Sequence, residues 1–254
     1  MSGDFVSSGD LVSLRMMIIA ATQPDQELWR EGAGMATVPI EFSTPDTASA
    51  IAMLARGGTD ICVVDGALPG SEKAAVIKAA RAMRSAPLIF VSAPTGSVRP
   101  EGIDGMLRKP SSVDDARKLA EICIRAKIPT RVLIVDDSGT MRSIVRKILS
   151  ASHFALDMHE ANEGAAALDQ LRIGNFGMVF LDYNMPCLNG LETLAKIKRE
   201  SPNVAVVMMT SLLDDTIADR AHAAGVLAFL KKPFYPADID NVLERYYGLH
   251  AAPG

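Results

Sequence analysis

Four places in the C-terminal half carry side chains whose types and spacing could do chemistry together: Asp136-Asp137, Asp182, Thr210 and Lys232. Each closes a mainly apolar run, such as Val132-Leu133-Ile134-Val135 before the acidic pair and Val179-Phe180-Leu181 before Asp182. In an open α/β sheet the loops leaving the carboxyl ends of the strands form the ligand crevice, so residues ending different strands converge. Three carboxylates held that close repel unless a cation sits among them, and hard oxygen donors with water in the remaining positions suit Mg2+ at about 2.1 Å. Asp182 ends its strand with no acidic neighbour, which makes it the carboxylate placed to act as nucleophile and form an acyl phosphate, with Asp136 and Asp137 on the metal. Lys232 adds a mobile point charge, and the Thr210 hydroxyl can bond an oxygen of whatever Asp182 carries.

Other residues are less committed. Asn184 could orient a water, present its backbone carbonyl to the metal or simply form a turn. Phe229, three residues before Lys232, is either core filling or an aromatic whose rotamer follows the crevice, since its ring suits both. Met185-Pro186 and Gly190 read as structural. His153, His159, His222 and His250 share no spacing and no adjacent acid, which leaves them helix-surface or loop roles. Trp29 is assigned to packing of the first helix, and Met16-Met17 and Met208-Met209 to strand cores.

The elements that must position these groups alternate along the chain. Strands at 132–135, 155–159, 178–181, 204–209 and 226–230 each precede a helix, at 140–149, 163–172, 190–200, 213–223 and 236–246. Strands as apolar as Val204-Ala205-Val206-Val207-Met208-Met209 are buried on both faces, which requires helices above and below a parallel sheet. The N-terminal half repeats the pattern, with strands at 16–19, 38–42, 60–64, 87–91 and 103–108 and helices at 25–31, 46–56, 72–84 and 112–126. Arg15-Met16-Met17-Ile18-Ile19 aligns with Arg131-Val132-Leu133-Ile134-Val135, Asp65 with Asp182, Ser92 with Thr210, and Lys109-Pro110 with Lys232-Pro233, so the chain reads as an internal duplication. Only 17 residues separate Ser92 from Lys109, against 22 from Thr210 to Lys232. Residues 93–102 hold two prolines, two glycines and no apolar stripe, so the first domain is expected to lack its fourth helix. The domains are placed at 13–127 and 130–248, with Lys127-Ile128-Pro129-Thr130 a join short enough to restrict relative motion, and 1–12 as a loose tail.

Composition narrows the function classes. The 254 residues are 48% apolar, which argues against disorder, and 26 Lys+Arg against 30 Asp+Glu give a net charge of −4. The halves carry −1 and −3, so neither offers a basic footprint for nucleic acid. Three cysteines outside any CxxC spacing make neither a zinc knuckle nor a redox pair and fit a reducing, cytoplasmic setting. No apolar run nears the roughly 18 residues needed to span a bilayer, and no secretory leader is readable, so no membrane partner is expected.

Jointly, Val135-Asp136-Asp137-Ser138-Gly139-Thr140-Met141-Arg142, Leu181-Asp182-Tyr183-Asn184-Met185-Pro186 with Asn189-Gly190, Met209-Thr210-Ser211 and Lys231-Lys232-Pro233-Phe234 resemble the CheY-like receiver domains of two-component response regulators. The resemblance is strong over 131–247 and degenerate over 15–126. It implies two tandem doubly wound (βα)5 domains, flavodoxin-like, each with a five-stranded parallel sheet of order 2-1-3-4-5. It implies Asp182 as phosphoacceptor, Asp136 and Asp137 as the metal pair, and the Asn184 backbone carbonyl as a third protein ligand. Thr210 and Lys232 resemble the switch and phosphate-contacting residues, and Phe229 the aromatic switch. Leu212 departs from the acidic or amide residues often found at its place, which leaves the phosphoryl lifetime open. Members use Mg2+, take phosphate from a phosphohistidine on a sensor histidine kinase or histidine phosphotransfer protein, and rearrange the face formed by the fourth helix, fifth strand and fifth helix.

The first domain departs from the pattern at the acidic pair, where Ala20-Ala21 stand although Asp65, Ser92 and Lys109 persist. It resembles a pseudo-receiver without Mg2+-dependent phosphorylation, built for contact or for steadying its neighbour. The expected function is that of a response regulator, not an enzyme, signalling to a downstream protein target, since too few residues follow the last helix for a DNA-binding or catalytic module. Phosphorylation-driven homodimerisation stays open. Two alternatives remain: a phosphorylation-independent interaction scaffold, and a flavodoxin-like enzyme or aspartyl phosphatase, although no second Asp stands two residues after Asp182 to serve as general acid.

Overall fold

A computed structural model describes residues 13–186, 188–211 and 215–249; the tail at 1–12, Cys187, Leu212 and His250 lie outside the described residues. The chain divides into two compact units between Arg125 and Ala126, the second being Ala126–Leu249. In the first unit β1 (Leu14–Ile19), α1 (Gln23–Gly34), β2 (Ile40–Ser43), α2 (Thr47–Arg56), β3 (Ile61–Asp65), α3 (Gly70–Arg81) and β4 (Leu88–Ala93) are followed directly by β5 (Gly105–Arg108) and α4 (Val113–Lys127). The second unit runs β6 (Thr130–Val135), α5 (Gly139–Leu149), β7 (Leu156–Ala161), α6 (Gly164–Ile173), β8 (Met178–Asp182), α7 (Gly190–Glu200), β9 (Ala205–Thr210), α8 (Asp215–Ala223), β10 (Ala228–Lys231) and α9 (Pro236–Tyr247).

Both sheets are parallel and five-stranded, ordered β2-β1-β3-β4-β5 and β7-β6-β8-β9-β10, which is the 2-1-3-4-5 order of a doubly wound fold. Their central strands are buried along their length: every residue of β3, β4 and β8 is shielded from solvent, as apolar runs flanked by helices on two faces require. Helix starts are written locally. Thr22, Asp46, Ser138 and Asn189 each cap a helix by accepting a backbone N–H three residues on.

The helix expected to be absent between β4 and β5 is absent, and Asp104 explains why β5 starts at Gly105 rather than 103. Its carboxylate accepts the Ile89 N–H at 2.7 Å, a bond the strand backbone would otherwise make. The helix-free crossover is anchored from α3. Arg81 donates to the carbonyls of Gly102 (2.9 Å) and Pro87 (3.4 Å) and pairs with Asp104 at 2.7 Å, while Arg99 donates to the Ile103 carbonyl at 3.0 Å. Gly102 takes φ +75°, the left-handed turn that lets Ile103 fold back into the core. Among the described residues no helix is long and apolar enough to cross a membrane.

Candidate functional site

The crevice of the second unit is assembled from four strand ends. Asp136 follows β6, Asp182 ends β8, Thr210 ends β9 and Lys232 follows β10. One carboxylate oxygen from each of Asp136, Asp137 and Asp182 lies within 4.8 Å of the others. Asp136 and Asp182 are buried and Asp137 is exposed, so the cluster opens to solvent on one side. The Lys232 ammonium reaches in from the far strand and donates to Asp136 Oδ2 at 2.8 Å and to Asp182 Oδ1 at 2.9 Å.

Each acid is fixed by its element. The Ser138 N–H, at the cap of α5, donates to Asp136 Oδ1 at 2.9 Å. The Asn184 N–H donates to the Asp182 carboxylate, while its own side chain is exposed. Behind Asp182 the chain turns through Tyr183 to α7, and a Cβ at Gly190 would stand 2.7 Å from the Asp182 carbonyl oxygen, so glycine is required there by close approach. Met185 plugs the core beneath this turn. The Lys232–Pro233 peptide is cis.

The electrostatics follow from this packing. Burial pushes the Asp182 carboxyl above the usual carboxylate range, with the Asp136 charge adding to it and the Lys232 ammonium pulling the other way. For Lys232, burial opposes the charge, but the bonds to Asp136 and Asp182 prevail and raise it. Three carboxylates against one ammonium leave a net of −2 in a crevice of hard oxygen donors, the composition that takes Mg2+ rather than a thiophilic metal. The residues therefore fit a resident Mg2+, with Asp136, Asp137 and Asp182 as the groups available to hold it.

Thr210 is wholly buried at the end of β9, and the Lys232 N–H donates to its carbonyl at 2.8 Å. Phe229 sits half-buried on the core, with its ring edge-on to His222 of α8 at 5.3 Å between centroids, so it serves packing. His159 lies on a strand rather than a helix surface or loop, bonded to Asp157 and Arg131. Trp29 is buried in α1, and both methionine pairs are core.

The first unit keeps the outline of the crevice with different chemistry. Asp65 accepts the N–H groups of Ala21 (3.1 Å) and Ala67 (2.9 Å). Ala20 and Ala21 bring no acid, but Asp25, in the first turn of α1, does: Lys109 Nζ lies 2.9 Å from Asp25 and 3.4 Å from Asp65. This bond raises Lys109, and it lowers Asp25 against the opposing effect of burial. Sequence reasoning passed over Asp25 because it belongs to a helix turn rather than a strand end.

Strand register also corrects the pairing of Ser92 with Thr210. Ser92 pairs with Asp65 as Met209 pairs with Asp182, and its carbonyl accepts the Gly66 N–H as that of Met209 accepts the Tyr183 N–H. Ala93 occupies the Thr210 place: its carbonyl accepts the Lys109 N–H, as that of Thr210 accepts the Lys232 N–H. Aligning hydroxyl with hydroxyl slips the strand by one, which turns every side chain to the other face. Ser92 instead donates toward the Arg108 carbonyl at 3.4 Å.

Residues 132–244 match the response regulator receiver domain family. The chemotaxis protein CheY-3 of Vibrio cholerae serotype O1 is 34% identical over 119 residues, 46% of this chain and 91% of that protein. The chemotaxis protein CheY of Pseudomonas aeruginosa is 31% identical over 119 residues, 46% of this chain and 95% of that protein. Among solved structures, the chemotaxis protein CheY4 of Vibrio cholerae aligns at 26% identity and a TM-score of 0.43, over 47% of this chain and 99% of that one.

Proposed function

The chain belongs to the response regulator receiver family, its second unit being a CheY-type receiver with an acidic cluster able to coordinate a metal, and on that premise we propose that Asp182 accepts a phosphoryl group from a phosphohistidine donor. The observation that carries the proposal is the Lys232 ammonium bridging Asp136 and Asp182, with Asp137 completing the cluster. A carboxylate oxygen of Asp182 attacks phosphorus in line, and the P–N bond of the donor breaks with its electron pair left on the imidazole nitrogen. Lys232, released from Asp182 as that carboxylate becomes an acyl phosphate, turns its protons to the phosphoryl oxygens. Asp136 stays anchored by the Ser138 N–H through this change. Bound Mg2+ supplies positive charge that shields the phosphoryl oxygens from the attacking carboxylate. Return to the resting state takes a water at phosphorus, which restores the Asp182 carboxylate and releases inorganic phosphate. Thr210, buried beside the site, and Phe229, half-buried beyond it, are the residues proposed to carry the change toward the face of α8, β10 and α9.

The donor is a sensor histidine kinase or a histidine phosphotransfer protein. A groove of about 510 Å3 lined by Met141, Ile144, Ile148, Pro233 and Phe234 opens beside Lys232, and supports docking of a donor with an apolar helix face. Output runs through contacts with a downstream protein, with a second copy of the chain an open partner. Two buried free cysteines, Cys62 and Cys123, support a reducing cytoplasmic setting. The first unit is a pseudo-receiver whose contacts do not depend on its own phosphorylation.

Incubation with acetyl phosphate and Mg2+, followed by intact mass, tests the reading. One phosphoryl group is expected on the wild type and on Asp65→Asn, and none on Asp182→Asn. Labelling lost with Asp65→Asn alone would reverse the roles of the two units.

A further inference from the structure

All polar groups of Asp136 are occupied. Its N–H donates to the Ala161 carbonyl at 3.3 Å, its Oδ1 accepts from the Ser138 N–H and its Oδ2 from Lys232. Its backbone carbonyl accepts from Arg142 Nη1 at 2.8 Å. That carbonyl belongs to the planar peptide joining Asp136 to Asp137, so fixing its oxygen fixes the plane from which the exposed Asp137 carboxylate departs. Arg142 is itself held. Its Nε donates to Glu160 Oε2 at 3.0 Å, and Arg146 Nε donates to the other oxygen of Glu160 at 2.7 Å. The Glu160 carbonyl accepts from Gln170 at 2.8 Å. The strut thus runs from β7 through Glu160 and Arg142 to the Asp136–Asp137 peptide.

The duplication supplies an internal control. Thr22 and Ser138 are equivalent caps, and their carbonyls accept the N–H of Gln26 and of Arg142. Gln26 therefore stands in the Arg142 place, and Arg30 in the Arg146 place. Arg30 still binds across to the loop after β2, at Thr44 Oγ1 (2.9 Å). The arginine that braces the helix to the second strand or to the loop leaving it is kept in both units, while the one that reaches the acidic loop is absent where Ala20-Ala21 replace the acids.

We infer that Arg142 is a positioning residue for the divalent cation: it orients the Asp136–Asp137 peptide so that Asp137 meets the ion together with Asp182. The inference rests on the metal reading of this crevice. It has a sign that simple charge does not share. An arginine beside a cation site repels the cation, so deleting its charge would tighten binding, whereas loss of an orienting partner behind a ligand weakens it, by about tenfold at the low end of such effects.

The test is calorimetric titration of the full chain with Mg2+, for wild type, Arg142→Gln, Arg142→Lys and Arg146→Ala, each with its metal-free melting temperature. Arg142→Gln is expected to weaken Mg2+ about tenfold and Arg142→Lys, which keeps one donor, by less. Arg146→Ala, which loosens the same helix without touching the acidic loop, stays within about twofold of wild type. Unchanged or tighter binding by Arg142→Gln, or equal weakening by Arg146→Ala, overturns the inference while leaving the metal site standing. No binding by wild type overturns the metal reading and the inference with it.

Discussion

Lys109 and Lys232 follow equivalent strands, β5 and β10, and each bridges two carboxylates, yet the two crevices differ in charge. Asp136, Asp137 and Asp182 against Lys232 leave −2, a deficit that a divalent ion can fill. Asp25 and Asp65 against Lys109 leave −1, so the lysine already supplies most of the counter-charge. The Asp25–Lys109 pair is part-exposed, which keeps its worth modest: a double-mutant cycle between Asp25→Asn and Lys109→Met is expected to return about 1 kcal/mol of coupling in urea unfolding. Coupling near zero would mean the pair is incidental. The strand-end acids and Lys232 were legible because periodicity places strand ends. Asp25 and the one-residue shift that puts Ala93 in the Thr210 place were not, because side-chain reach and register are tertiary facts. Glu160 adds a pH signature. Arg146 chiefly, against burial and with help from Arg142, holds it below its ordinary value of 4.5. A depressed carboxylate contributes stability above its unfolded value and loses it as pH falls through the folded one. The deficit of Glu160→Gln relative to wild type is therefore expected to be about 1 kcal/mol at pH 7 and to shrink below pH 4.5 in acid-dependent unfolding; a deficit constant with pH would contradict the ion-pair origin.

The crossover from β4 to β5 shows how a parallel connection survives the loss of its helix. Two prolines, two glycines and no apolar stripe made the loss legible in the sequence. What replaces the helix was not legible, because nothing local marks Arg81 and Asp104 as partners. Arg81, in the last turn of α3, holds two carbonyls and the wholly buried Asp104 carboxylate, and Asp104 in turn stands in for a strand acceptor at Ile89. Removing the buried carboxylate takes away the partner of a part-exposed arginine and the acceptor of a buried N–H together. Asp104→Ala is expected to destabilise the first unit by about 3 kcal/mol in chemical denaturation, since it strands both the Arg81 charge and the Ile89 N–H. Asp104→Asn, which can still accept from Ile89, should recover roughly half of that loss. Equal effects of the two substitutions would assign the stabilisation to charge alone. The matching boundary shift, β5 beginning at Gly105 and not at 103, has the same cause: at Ile89 the N–H goes to the Asp104 side chain while the carbonyl accepts the Asp104 N–H at 2.8 Å, so regular strand pairing starts only beyond it.

Duplication followed by divergence has left the two units with separate optical labels. The chain holds one tryptophan, Trp29, buried in α1 of the first unit, and four tyrosines, Tyr183, Tyr235, Tyr246 and Tyr247, all in the second. Tyr183 directly follows Asp182, and Tyr247 is buried with its hydroxyl 2.7 Å from that of Thr130 at the start of β6. Tryptophan emission therefore follows the unit with the internal lysine, and near-ultraviolet dichroism of tyrosine follows mainly the unit with the acidic cluster. A ligand that binds only the folded form stabilises it by mass action, by about 2.7 kcal/mol at a concentration 100 times its dissociation constant. Mg2+ at that level is expected to raise the tyrosine-reported denaturation midpoint and to leave the Trp29-reported midpoint where it was. The charge difference between the crevices requires this asymmetry, because an ion drawn by −2 in one unit meets a lysine already in place in the other. An equal shift of both midpoints would show the two units unfolding as one cooperative body, and a shift confined to Trp29 would place the metal in the wrong crevice.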